Sequence, residues 1–257
     1  MKQNTIQTIA LALITLTATA PAIRAELVAF WPMNAAAKGT AEAGQILDTV
    51  GEPPSDALKR INWPFWCTET RATPPVPVPL NPKLGAPADG RAVGLTRSNG
   101  HDFGIGAKGR LKFTDGPFSL FVRLYFTPDG DIRFERKGTF LLRLFTDKTE
   151  GRNTDTLAAT ITIDGRRLTA YARPGAPNQW HDYLVTFAPG KHITVYVDGK
   201  QAGRQSVPAH GTVDSEANAQ DGFRYENYLG AIQYIESMRF YDHALPPEEA
   251  AALSTEN

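Results

Sequence analysis

Residues 180–204, WHDYLVTFAPGKHITVYVDGKQAGR, read as two strands and the start of a third. Tyr183, Val185 and Phe187 alternate with Asp182, Leu184 and Thr186, the period of a strand that shows its two faces to different surroundings. Pro189-Gly190 interrupts the run, and it resumes with Ile193, Val195 and Val197 against His192, Thr194 and Tyr196. Asp198-Gly199 then marks a second hairpin, because both central positions of a two-residue turn need positive φ and these residues tolerate it best.

The same grammar extends in both directions. Upstream, Phe118, Leu120, Val122, Leu124 and Phe126 form an unbroken apolar face opposite Ser119, Phe121, Arg123 and Tyr125, which predicts a central strand ended by Pro128-Asp129-Gly130. Residues 139–146 and 156–164 continue the meander, the latter with Leu157, Ala159, Ile161 and Ile163 inward. Asp164-Gly165 turns the chain, and residues 168–172 pair back. Helix is confined to the end, where Pro246-Pro247-Glu248-Glu249 supplies a proline-tolerant first turn with acids at the positive dipole end. About a dozen strands, with turn signals every ~8 to 12 residues, predict an all-β antiparallel sandwich with a short C-terminal helix.

Residues 1–25 are set apart as a secretory signal peptide: Lys2, an apolar run from Ile6 to Thr17, then alanine-rich sequence to Ala25, with cleavage after Ala22 as the alternative. That run is shorter than the ~20 residues a membrane-spanning helix needs. The remainder, 26–257, is expected to be one exported domain with a single core, in the periplasm, at the cell surface or outside the cell. With 27 basic and 27 acidic side chains the chain is neutral overall. Without a basic cluster the chain offers no electrostatic footprint for nucleic acid or anionic membrane surfaces, so no nucleic-acid partner is expected, and no segment is expected to insert in a membrane after cleavage. Cys67 is the single cysteine, so no intramolecular disulfide forms. Residues 52–89 are crowded with proline and read as a surface insertion of extended stretches, with one short helix over 55–60.

The pattern of Trp180-His181 followed by two alternating strands and Tyr196-Val197-Asp198-Gly199 resembles a laminin-G-like jelly roll of the concanavalin A-like lectin/glucanase superfamily, which also includes the pentraxin-like domains. Two further segments carry the likeness: YLGAIQYIESMRFYDHALPPEEAAAL resembles that family's last strand and closing helix, and LVAFWPMN its first strand. GRAVGLTRSNGHDFGIG resembles its paired early strands. The resemblance implies a two-sheet jelly roll, with Trp31 and Trp180 at buried family positions.

Candidate site residues follow. In the last strand Glu236, Met238 and Phe240 share one face, which places a carboxylate on the core side, where it must accept hydrogen bonds or hold a metal. The family often has Asp at this position, sometimes in a calcium site, and Asp48 matches its first-loop acid, so Asp48 and Glu236 are the candidate calcium ligands, with the acidic loop 214–227 nearby. Calcium takes about six to eight oxygen ligands, so backbone carbonyls would supply most of the rest; no other cofactor is expected. The five histidines are isolated and lack zinc-ligand spacing. Sugar recognition needs an exposed aromatic ring beside hydrogen-bonding groups. The candidates are Trp63, Phe65 and Trp66 in the insertion, and Tyr196, Phe223, Tyr225 and Tyr228 later in the chain.

The expected function is a non-catalytic binding or adhesion domain that recognises a polysaccharide or another cell-surface macromolecule. One alternative is a polysaccharide lyase or hydrolase on the same fold, although the sequence lacks the short Glu-x-Asp-x-x-Glu run of a hydrolase; for a lyase, Arg123, Tyr125 and Arg143 on outward strand faces are the residues to consider. The other alternative is a protein-contact module using the proline-rich insertion.

Overall fold

The computed structural model describes residues 26–32, 45–46, 58–60, 93–95, 103–105, 116–128, 130–136, 138–146, 155–214, 224–227 and 233–255. Fifteen strands and one helix are formed among them. The first sheet holds β1 (Leu27–Pro32), β15 (Gln233–Tyr241), β6 (Phe118–Phe126), β11 (Gln179–Ala188), β12 (His192–Val197) and β13 (Lys200–Ser206) in that spatial order, with β4 (Val93–Leu95) also on β15. The second runs β10 (Arg166–Ala172), β9 (Thr156–Ile163), β8 (Phe140–Phe145), β7 (Asp131–Arg136), β14 (Arg224–Asn227), β5 (Phe103–Ile105), β3 (Leu58–Arg60) and β2 (Gln45–Ile46). Every pairing among the described strands is antiparallel.

The core lies between the sheets and is made by the residues the alternation places inward. Leu120, Val122 and Leu124 of β6, Val185 of β11 and Val195 of β12 face Leu142 and Leu144 of β8 and Ala159 and Ile161 of β9. Phe118 ties the layers together. Its ring lies 5.4 Å from Phe187 and 5.7 Å from Phe240 in its own sheet, and meets Phe140 of the other sheet edge-on at 5.5 Å. Burying an aromatic of this size contributes roughly 1.5–3 kcal/mol.

The hairpins expected at Asp-Gly pairs form there: Asp164 and Gly165 have φ of 49° and 73°, Asp198 and Gly199 of 51° and 73°. The two edge strands β10 and β13 close the sandwich on one side. Gly203 lies so near β10 that a Cβ there would sit 2.2 Å from the Tyr171 carbonyl oxygen.

A second apolar cluster lies outside the first sheet. Helix α1 (Pro247–Leu253) begins at the prolines and carries Glu248 and Glu249 in its first turn, as expected. It lays Ala250 and Leu253 over Phe121, Leu184, Tyr196, Tyr241 and Leu245. The outward face of the first sheet is therefore covered, which explains why all nine residues of β6 are buried.

Two local expectations are corrected. Leu58–Arg60 is a strand rather than part of a helix, because β2 and β5 supply hydrogen-bonding partners on both sides and tertiary pairing overrides local preference. Val93–Leu95 and Phe103–Ile105 do not pair with each other: β4 joins β15 in the first sheet, while β5 joins β14 and β3 in the second. The rest of the proline-rich stretch lies outside the described residues.

Candidate functional site

The second sheet has an outer face that α1 does not cover. Antiparallel register lines its outward side chains up in rows. In one row Arg133 of β7 stands opposite Arg143 of β8, Arg143 opposite Ala158 of β9, and Ala158 opposite Tyr171 of β10. The next row is Glu135, Leu141, Thr160 and Thr169. Small Ala158 between Arg143 and Tyr171 leaves a trough. It is a depression of ≈ 620 Å³, walled by Arg143, Phe145, Arg167 and Tyr171 and floored by Thr156, Ala158 and Thr160 of β9 and Thr169 of β10. Tyr171 is 67% exposed. A second depression of ≈ 230 Å³ continues past Leu141, Thr160 and Arg167 to Glu135, Arg136 and Gly138.

The Arg143 wall is held in place. Asp131, buried at the start of β7, accepts hydrogen bonds from Nε and Nη2 of Arg143 at 2.8 and 2.9 Å and from the same atoms of Arg133 at 3.2 and 2.6 Å. Burial alone would raise the Asp131 carboxyl, but the Arg143 and Arg133 guanidiniums outweigh it and pull the group below its ordinary value. The Arg143 guanidinium also lies over the Phe145 ring, 4.9 Å from its centre. The Thr160 and Thr169 hydroxyls are 2.9 Å apart across the strands. An exposed aromatic face, one fixed and one exposed cation, and hydroxyls thus converge on one concave strip, a combination suited to a ring with an apolar face and polar edges.

Arg123, Asp182, His181 and Tyr183 of the first sheet are occupied internally. Arg123 of β6 pairs with Asp182 of β11, donates to the Leu253 carbonyl at the end of α1, and has Glu236 at 3.7 Å. His181 bonds Asp198 at 2.9 Å through Nδ1 and the Ala176 carbonyl at 2.8 Å through Nε2. The Tyr183 hydroxyl donates to the Pro174 carbonyl at 2.6 Å, and burial pushes it well above the usual phenol range. These contacts bind the helix and the loop 173–178 to the sheet.

Glu236 does not face the core. The pairing of β15 with β6 shifts register between Ile235 and Ser237, and Glu236 is the extra residue. Ile235 is turned into the core with Met238 and Phe240, while the carboxylate emerges beside Arg123. Burial raises its carboxyl above the ordinary value; Arg123 partly offsets this and Asp182 adds to it. Its proposed partner Asp48 lies outside the described residues, among which no group of three or more His, Cys, Asp or Glu is placed to hold a metal.

Of the aromatic candidates, Tyr196 is buried, packed with Leu245 and Leu253 beneath α1, so its ring is a docking surface for the helix and not a platform for a sugar. Tyr225 lies on β14, its backbone opposite Phe134 and Phe103, and its side chain is outside the description. Trp63, Phe65, Trp66, Phe223 and Tyr228 also lie outside the described residues. Trp180 is buried against Tyr125 at 5.9 Å, as expected. Of the outward residues considered for a lyase, Arg123 and Tyr125 are buried on the covered sheet, and only Arg143 lines the trough. Tyr171 was not among the candidates. Its signal was present, since Leu168, Ala170 and Ala172 pack inward or against the core, which sends Arg167, Thr169 and Tyr171 to the other face.

No curated protein matches the chain. Solved structures with the same fold include the binding domain of Paraclostridial Mosquitocidal Protein 1, with a TM-score of 0.56, 11% identity, 89% of this chain covered and 51% of that one. The receptor binding domain of botulinum neurotoxin C/D mosaic serotype aligns with a TM-score of 0.58 and 9% identity, over 89% of this chain and 50% of that one. Botulinum neurotoxin type C, which depends upon interaction with two ganglioside molecules to enter cells, aligns with a TM-score of 0.54 and 11% identity, over 90% and 50%. The chain thus spans about half the length of the solved structures it matches. At these identities the likeness is one of fold. Residues 109–251, more than half of the chain and the part that holds the trough and both apolar clusters' central strands, match the laminin-G family described as the concanavalin A-like lectin/glucanases superfamily, and the chain belongs to that family.

Proposed function

We propose that the chain is an exported, non-catalytic binding domain, and that it takes carbohydrate of a cell surface in the trough on the outer face of β8, β9 and β10. The observation that carries this reading is the row Arg143, Ala158, Tyr171: an aromatic ring 67% exposed faces a fixed guanidinium across the smallest side chain of the row. A sugar ring can stack on Tyr171 through its C–H face while its hydroxyls meet the Thr160–Thr169 pair and Arg143. Neighbours in fold are receptor-binding domains, one of them from a toxin dependent on gangliosides, which agrees with a surface glycan as ligand. The trough's described lining holds no carboxylate, so it offers no acid pair for hydrolysis.

The test is titration of the protein with soluble polysaccharides, neutral and acidic, followed by analysis of the products and repeated with calcium and with chelator. Saturable binding without new reducing or unsaturated ends, lost in Tyr171→Ala, is the expected outcome. New ends would replace the reading with an enzyme. Binding that Tyr171→Ala leaves intact would move the site elsewhere, and binding abolished by chelator would bring back the calcium proposal for Asp48 and Glu236.

A further inference from the structure

We infer that the ligand of this trough is acidic: a linear polysaccharide of uronic acids, held through internal residues of its chain. The inference rests on the carbohydrate reading above and adds the charge and the shape of the ligand. The described lining of the larger depression contains two guanidiniums, Arg143 and Arg167, and no carboxylate. The smaller depression adds Glu135 and Arg136, which offset each other, so the cleft keeps a positive excess on a chain whose overall charge is zero.

The two cations differ in how they are held. Arg143 spends Nε and Nη2 on Asp131 and rests on Phe145, so its position is set before any ligand arrives, while its side chain stays 38% exposed. A pre-positioned guanidinium loses little freedom on binding an anion. Arg167 sits on exposed β10, four residues before Tyr171, which is about 13 Å along the strand. One cation therefore lies across the trough from the stacking ring and another lies along it, matching a polymer that repeats its charge.

Register also bears on which anion is taken. Arg143 and Tyr171 both stand opposite Ala158, so their backbones are two strand spacings apart, about 10 Å. A ring lying on Tyr171 above Ala158 directs its edge to Arg143. In a uronic acid the carboxylate is bonded directly to the ring, so stacking fixes its distance from the guanidinium, and it meets the Nη1 edge of Arg143 that Asp131 does not occupy. A sulfate ester hangs on an extra oxygen and lacks that fixed offset. The two depressions share Leu141, Thr160 and Arg167, so the cleft is continuous along β8 and β9 and admits a passing chain, not a chain end alone.

The experiment is affinity measurement on the full chain with polygalacturonate and alginate, against fully methyl-esterified polygalacturonate, a neutral galactan and dextran sulfate. A polyuronate is expected to bind, with the esterified polymer at least about tenfold weaker, since loss of one charge-assisted contact is worth about that factor. Affinity should fall as salt rises. Arg167→Gln, at an exposed position, should weaken polyuronate binding several-fold with an unchanged melting temperature, and Arg143→Gln should do so more strongly. Because Arg143 also braces Asp131, its result counts only together with that of Arg167→Gln. Equal affinity for the esterified polymer, or for the galactan, would overturn the acidic ligand and leave the carbohydrate reading intact. Tighter binding of dextran sulfate than of either polyuronate would overturn the uronic acid. Binding to none of the five would overturn both this inference and the carbohydrate reading on which it stands.

Discussion

Arg123 and Asp182 stand directly opposite on neighbouring central strands and form a two-point ion pair, Nε to Oδ1 at 2.8 Å and Nη2 to Oδ2 at 3.3 Å, with Asp182 only 2% exposed. The guanidinium lies between the sheet and the end of α1, whose Leu253 carbonyl it also reaches. Burial raises the Asp182 carboxyl, and the hydrogen bond from Arg123 offsets only part of that cost. Removing the cation alone would strand a buried charge. Arg123→Leu is expected to cost about 3–5 kcal/mol in chemical denaturation, and adding Asp182→Leu to recover much of the loss. A single-variant cost below about 1 kcal/mol would show that water already reaches the pair.

The raised Glu236 carboxyl sets a direction for pH dependence. The folded state holds its proton more tightly than the unfolded chain, so between the ordinary glutamate value of 4.5 and the higher folded value, stability falls as pH rises. Above that window the cost is fully present. Glu236→Gln should therefore raise the melting temperature at neutral pH, and the difference from the natural chain should shrink as pH drops to 4.5 and below. A variant less stable at neutral pH would mean that the contact with Arg123 outweighs burial.

Asp131 has the opposite sign. Its carboxyl is lowered from 3.8 in the fold, so it adds stability above that value and loses it as pH falls through the lower folded value. Asp131→Asn should lose roughly 1–3 kcal/mol at neutral pH, because two guanidiniums keep weaker acceptors, and the deficit should narrow in strong acid. Thermal melts across pH measure this, and an unchanged midpoint at neutral pH would reject the clamp as a stabilising feature.

Close approach of the two edge strands makes a glycine prediction. Gly203→Ala places a Cβ 2.2 Å from the Tyr171 carbonyl oxygen and 2.9 Å from its carbon, both backbone atoms that cannot swing aside. A loss of about 1–3 kcal/mol or more is expected. Gly116→Ala, where nothing lies within 4 Å, is the control and should stay within about 0.5 kcal/mol. Similar melting temperatures for the two would mean that β13 moves freely away from β10.

Two tyrosines separate binding from stability. Tyr171→Ala, at a ring 67% exposed, should change stability by no more than about 0.5 kcal/mol while removing the stacking surface. Tyr183→Phe keeps the ring but leaves the Pro174 carbonyl without its donor, and should cost about 1 kcal/mol or more with ligand affinity unchanged. A large stability loss in Tyr171→Ala would mark that ring as structural.

Strand identity and the inner face were determined by the sequence alone. Period-two alternation leaves one assignment for Phe118 through Phe126 and for Tyr183 through Phe187, and the Asp-Gly pairs leave one turn chemistry. The prolines and acids at 246–249 likewise specify the start of α1. What alternation cannot reveal is a one-residue insertion in the pairing. The bulge at Glu236 shifts the phase of the alternation, so that Ile235 and not Glu236 turns inward with Met238 and Phe240, because register is a property of two strands together. Nor can it tell which outer face is covered. Tyr196 and Tyr171 both alternate outward on their strands, yet α1 folds over the first and leaves the second in the open. The row that sets Arg143 across Ala158 from Tyr171 draws on three strands, so only the assembled sheet, through its hydrogen-bonded register, could bring those residues into one site.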